Sequence, residues 1–216
     1  MAEYTLKNIF LSASVPSAER NPVYYETADL IAIRDAVRAL AATVLPHVRL
    51  IWGGHPSITP IIRSVLERMD VEVKDHVTLY QSEFFRKLFP VDNCCAEDIC
   101  ITDIIPKDTV EETRNASLKE MRERMLGKHP YTAGIFIGGM EGVEEEFELF
   151  KQHHPDAFCI LIASTGGAAF KLFESKEKSD AMVLPDGFDR QRLVNDFDYW
   201  SLFRELFEES IINVSK

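Results

Sequence analysis

Apolar runs too short to be helices alternate with longer segments of helical spacing along almost the whole chain. NIFLSAS (8–14), VRLIWGG (48–54), HVTLYQS (76–82), DICITDI (98–104), AGIFIGG (133–139) and AFCILIAS (157–164) read as strands, with a weaker one at AMVLP (181–185). Helical spacing follows them at 24–45, 58–69, 83–89, 109–126, 141–154 and 165–175, and again in a terminal helix near 198–213. Strands that are apolar on both faces and separated by helices belong to a parallel sheet covered on both sides. The expected fold is therefore α/β: a doubly wound, mostly parallel sheet in a three-layer Rossmann-like sandwich, with residues 1–216 as a single domain.

Composition narrows the function. With 35 acidic residues against 24 basic ones, the formal charge is -11, and a surface that acidic repels the phosphate backbone of a nucleic acid polymer. It still admits a small anion, because local amides and arginines outweigh charges beyond a screening length. No apolar run approaches the roughly 20 residues that span a bilayer. The opening MAEYTLKN lacks the order of a signal peptide. Cys94, Cys95, Cys100 and Cys159 have no metal-ligand spacing. The expectation is a cytoplasmic protein with reduced thiols, no metal and no cofactor, in contact with neither membrane nor nucleic acid polymer.

In a sheet of this kind ligands bind beyond the carboxyl ends of the strands. What stands there is Ser12-Ala13-Ser14, then Gly53-Gly54-His55, then Gln81-Ser82, then Gly138-Gly139-Met140-Glu141-Gly142, then Ser164-Thr165-Gly166-Gly167. Glycines let a ligand approach the backbone and hydroxyls cap helices or donate to phosphate. Any one such loop is as well explained by turn chemistry; five on one edge point to a ligand site. Neither a GxGxxG turn nor a Gly-Lys-Ser/Thr phosphate loop is present, which argues against an ordinary dinucleotide dehydrogenase or P-loop ATPase.

Arginines and carboxylates on two of the helices join these loops. Helical spacing puts Arg114 in line with Leu118, Met121 and Met125, with Arg122 on the flank of that stripe and Arg124 toward solvent. An inward arginine near the sheet edge is a snorkelling side chain or a phosphate partner. Glu145 and Glu146, early in the helix after Gly138-Gly139, either complement its dipole or accept from a ligand. His55 stands at a loop tip, and His153-His154 at a helix end.

With these residues in place the chain resembles the SLOG superfamily, the Rossmann-like group that includes the Lonely Guy phosphoribohydrolases and the DprA/Smf proteins. The likeness is greatest to the TIR- and sirtuin-associated SLOG domains of prokaryotic defence and nucleotide signalling. Lonely Guy enzymes carry a Pro-Gly-Gly-x-Gly-Thr-x-x-Glu turn after the fifth strand and an arginine on the preceding helix. Here the turn runs from Ile137 through Gly138-Gly139-Met140-Glu141-Gly142-Val143 to Glu146, with one residue inserted, and Arg122 matches the arginine. Ile137 replaces the proline, Val143 the threonine, and Glu141 is extra. WGGHPSITP and RNASLKEMR also resemble the sensing branch.

The resemblance implies binding of a nucleotide or NAD-derived signal of the ADP-ribose or cyclic ADP-ribose class. Phosphates would lie on the amides of Gly53-Gly54 and Gly138-Gly139 with Arg114 or Arg122. Glu141 or Glu146 would take ribose hydroxyls, and Ser12, Ser14, Gln81 and Thr165 would complete the rim. The alternative is an N-glycosidic hydrolase in which Arg122 fixes the 5′-phosphate and Glu146 assists cleavage. The family also implies a homodimer, or a separate effector protein as partner.

Overall fold

A computed structural model describes residues 7–45, 47–69, 76–96 and 98–208. Six strands form one sheet in the order β4-β3-β2-β1-β5-β6. They are β1 (Lys7–Ser14), β2 (Val48–Trp52), β3 (Val77–Ser82), β4 (Asp98–Thr102), β5 (Tyr131–Gly138) and β6 (Phe158–Ile162). Every neighbouring pair is parallel. The chain adds strands outward from β1 to β4, then crosses back to place β5 on the other side of β1. That reversal makes the β1/β5 boundary the switch point of the sheet.

The helices are α1 (Pro22–Tyr25), α2 (Leu30–Val44), α3 (Thr59–Leu66), α4 (Val110–Lys128), α5 (Glu141–His153), α6 (Gly167–Glu174), α7 (Lys176–Asp180), α8 (Arg192–Asn195) and α9 (Tyr199–Phe207). Alternation along β1 shows how they divide. Ile9 and Leu11 join the core beneath α2, α3 and α9, whereas Phe10 joins the one beneath α4, α5 and α6. The helix starts are fixed by side chains. Asp29 accepts from the amides of Ile31 and Ala32 to open α2, and Thr109 and Glu112 form a reciprocal capping box on α4.

Three expectations are corrected. Residues 83–89 form a 3-10 turn, Glu83–Leu88, capped by Ser82; Pro90 follows at once and ends any helix there. The strand expected at 181–185 is a single antiparallel bridge between Cys159 and Val183, cut short before Pro185. The segment 24–45 divides into α1 and α2, because Asp29 caps a new helix inside it. The terminal helix runs to Phe207 with Glu208 as its C-cap, and residues 209–213 lie outside the described residues.

The second core is aromatic and closely fitted. Phe150 stacks on Phe10 with centroids 5.8 Å apart, and meets Phe136 at 5.9 Å and His154 at 5.2 Å. Its ring lies 2.8 Å from where a Cβ on Gly134 would stand, and those neighbours leave it nowhere to move. Gly134→Ala should therefore destabilise the fold by about 1–3 kcal/mol. Urea denaturation should show a lower midpoint with an unchanged slope.

Candidate functional site

Beyond the carboxyl ends of β1, β2, β3 and β5 lies a cavity of about 350 Å³. Of the residues singled out from the sequence, Ala13, Ser14, Gly53, Gly54, His55, Gln81, Ser82, Arg114, Arg122, Met140, Glu141, Gly142 and Glu146 all line it. The walls between them are apolar: Leu11, Trp52 and Ile58 on one side, and Leu118, Met121 and Val143 on the other.

The glycine turn after β5 has a different purpose from the one its sequence suggests. The amide of Gly138 donates to Thr165 Oγ1 at 2.8 Å, and that of Gly139 donates to the Ser14 carbonyl at 2.8 Å. Neither can donate to a phosphate. Gly138, at φ +57°, lets α2 pack against the end of β5, since a Cβ there would lie 2.5 Å from Ile33 Cδ1. Gly142 leaves room for an arginine: a Cβ there would stand 2.8 Å from Arg122 Nη2.

The loop after β6 also stays out of the cavity. Thr165 is fully buried, and its hydroxyl is held by Ile162 O at 2.5 Å as well as by Gly138 N. Ser164 bonds the Tyr199 hydroxyl at 3.1 Å. Gly166 packs against the Thr27 carbonyl. The segment before α2 covers this strand end: Asp29 N donates to Thr165 O at 3.2 Å, and Gly167 N to Thr27 Oγ1 at 3.1 Å. Ser12 is likewise only 1% exposed and reaches the site through another residue.

That residue is Glu146. Its Oε2 accepts from Ser12 Oγ at 2.6 Å and its Oε1 from Arg122 Nε at 3.2 Å. Arg122 also donates to Glu145. The Arg122 and Glu146 side chains are 11% and 14% exposed, so the pair is largely withdrawn from water. The guanidinium Nη2 lies over the first turn of α5, where Met140 supplies no side-chain cap.

Gly54 and Gln81 form a second fixed piece. Gln81 Nε2 donates to Gly54 O at 2.8 Å, and a Cβ on Gly54 would fall 1.6 Å from that nitrogen. His55 comes next, and its Nδ1 accepts from Ser57 N at 3.2 Å with Ser57 Oγ 2.7 Å away. In the neutral ring the proton then sits on Nε2. Burial, with the Arg20 charge adding to it, pulls the His55 pKa down to about 4, so the ring is neutral at physiological pH.

Arg114 is half-buried, and among the described residues its side chain bonds to the neighbouring Asn115 at 3.4 Å. Arg20, Trp52 and Phe85 also line the cavity, though the sequence does not single them out. Arg20 comes six residues beyond β1, Trp52 lies in the strand expected at 48–54, and Phe85 in the helix expected at 83–89. The available signal is that Trp52 ends β2 and Phe85 comes three residues after β3.

Among the described residues no helix is long and apolar enough to cross a membrane. The side chains of Cys94 and Cys95 lie outside the described residues, while Cys100 and Cys159 are free thiols. A family model described as the SLOG cluster3 family matches residues 23–207. No curated protein matches the chain. The X-ray structure of TM1055, a structural-genomics target, superposes with a TM-score of 0.46 at 15% identity, covering 87% of this chain and 89% of that one.

His55 gives the site a pH signature. Its pKa is about 4 in the fold against about 6.5 unfolded, so between those values the unfolded chain binds more protons. Its contribution is complete above pH 6.5 and is lost as pH falls toward 4, an effect of at most about 3 kcal/mol. Urea denaturation at pH 7 and pH 5 should show the wild type losing more stability than His55→Gln over that interval.

Proposed function

This chain belongs to the SLOG cluster3 family, and on that premise we propose that it binds a nucleotide or an NAD-derived signalling ligand of the ADP-ribose or cyclic ADP-ribose class. The observation that carries the reading is the convergence of four strand exits on one cavity whose wall holds Arg20 and Arg114. Neither of these arginines pairs with a carboxylate among the described residues. An anionic group supplies what they lack. The apolar walls, including Trp52, Phe85 and Met121, suit the flat face of a base. A volume of about 350 Å³ is at the small end of ligand pockets, roughly 300–1,000 Å³, and favours a compact ligand. A role in defence or stress signalling, through a homodimer or a separate effector, accords with this reading.

Hydrolysis of an N-glycosidic bond is the second reading, favoured by one observation: Glu146 lines the same cavity and is held there by Ser12 and Arg122. Such a carboxylate can stabilise oxocarbenium character or orient water. The binding reading asks less of it, only an acceptor for a ribose hydroxyl.

Incubation with AMP, NAD, ADP-ribose and cyclic ADP-ribose separates the two. Ligand at a hundredfold its dissociation constant stabilises by about 2.7 kcal/mol, which raises the melting temperature by roughly 5–10 °C for a chain of this size. A melting rise with no free base on chromatography is the expected result. Base release that disappears in Glu146→Gln would replace binding with hydrolysis.

A further inference from the structure

Arg122 would be the natural anchor for a ligand phosphate, yet it is already matched by two carboxylates, Glu145 and Glu146. The cavity's unmatched positive charge lies elsewhere, on Arg114 and Arg20. Arg20 precedes the residues matched by the family model, 23–207. It is carried on the loop between β1 and α1, and that loop is fastened at both ends. At its start, Val15 N donates to Ser57 Oγ at 3.4 Å, the same hydroxyl that lies 2.7 Å from His55 Nδ1. At its end, Asn21 Nδ2 donates to Glu141 Oε1 at 2.5 Å, at the first residue of α5. Within it, the amides of Arg20 and Asn21 both turn back onto the Ser17 carbonyl, at 3.2 and 3.1 Å.

From this geometry we infer that Arg20 is the principal anion anchor of the cavity, and that Asn21 and Glu141 are positioning residues which hold it over the ligand's phosphate. The inference rests on the proposal that the cavity binds a phosphorylated ligand. It changes the part played by two residues. Glu141 no longer serves the ribose, because its carboxylate holds the loop. Arg122 no longer serves the phosphate, because it holds α5 to α4.

The surroundings agree. Arg20 faces His55 closely enough for its charge to act on the ring, and that ring is neutral, so it offers an Nε2–H donor without a competing charge. Arg20 is exposed and bonds to no carboxylate among the described residues, so it is free to turn onto an anion without breaking a contact. Asn21 has a second task, since its Oδ1 accepts from Val23 N to cap α1. Asn21→Asp preserves that acceptor while replacing the donor to Glu141 with a like charge.

The test is calorimetric titration of the whole chain with inorganic pyrophosphate and, separately, with AMP and cyclic ADP-ribose, at two ionic strengths. Arg20→Ala should weaken pyrophosphate binding by roughly 10- to 100-fold, the range for a charge-assisted hydrogen bond. It should also flatten the salt dependence while leaving the melting temperature of the free protein unchanged. Arg20→Lys should recover part of the loss, and Asn21→Asp should weaken binding by less than Arg20→Ala. Wild-type affinity for pyrophosphate in Arg20→Ala would overturn the inference, and so would an equal loss in Arg20→Ala and Arg20→Lys without change in salt dependence. Wild-type protein that binds pyrophosphate through Arg20 but no nucleotide would leave the anchor standing and remove the nucleotide reading. Wild-type protein that binds neither would remove both.

Discussion

The site depends on a buried relay that ties three elements together: Ser12 in β1 holds Glu146 in α5, and Glu146 holds Arg122 in α4. Removing one member leaves a charge or an acceptor unmatched in a place with little water, and losses of that kind run to about 3–5 kcal/mol. The neighbouring contact with Glu145 is of another order. That carboxylate is 61% exposed, and an ion pair so open to solvent contributes at most about 1 kcal/mol. The relay is thus carried by Glu146, and it fixes the height at which α4 and α5 stand above the end of the sheet. Gly142 belongs to it as well, since only a residue without a Cβ lets the guanidinium settle over the first turn of α5.

Most of the architecture was legible because burial on both faces leaves a simple pattern. β5 and β6 are apolar nearly throughout, and β1 and β3 are buried along most of their length, the pattern of a sheet covered on both faces. The errors fell where a local stop outweighed the pattern, as with Pro90 after the 3-10 turn and the Asp29 cap that opens α2. The site was legible in part. Loops at the ends of β1, β2, β3 and β5 meet, as the switch-point rule implies, but the loop after β6 does not. Ser164-Thr165-Gly166 has the composition of a binding loop, yet it is covered by residues 27–29, and covering is a tertiary fact. Gly138 and Gly139 mislead for a related reason. Glycine serves a close helix as readily as a close ligand, and the sequence does not show that Ile33 occupies the space. Arg20 stands six residues beyond β1, too far along the loop for the sequence to mark it. It is the Asn21–Glu141 bond that returns the loop to the cavity.

Charge explains how an acidic chain can hold an anion. The formal charge is -11, but charges beyond about 8 Å are screened at physiological salt, so the local inventory decides. At the cavity the Arg122–Glu146 pair cancels, Glu141 keeps its charge though bonded to the neutral Asn21, and Arg20 and Arg114 leave the lining net positive by one. The start of α5 adds the positive end of its dipole. His55 adds a donor but no charge at neutral pH. On the proposed reading, the surrounding acidity would repel large polyanions while a small anion reaches the arginines.

The same inventory weighs binding against turnover. To activate water, a carboxylate must present a free lone pair to the water's proton, and Glu146 already accepts from Ser12 on one oxygen and from Arg122 on the other. Val143 is 3% exposed and packs against Gly139 on the cavity wall, so at the position where the Lonely Guy turn carries a threonine the surface is apolar. An apolar residue there can shield a ligand from water but cannot donate to a departing base or a developing oxyanion. A pocket whose lining carboxylates, Glu141 and Glu146, are both held by hydrogen bonds, and whose turn carries a valine where a hydroxyl would stand, favours the proposed binding over turnover.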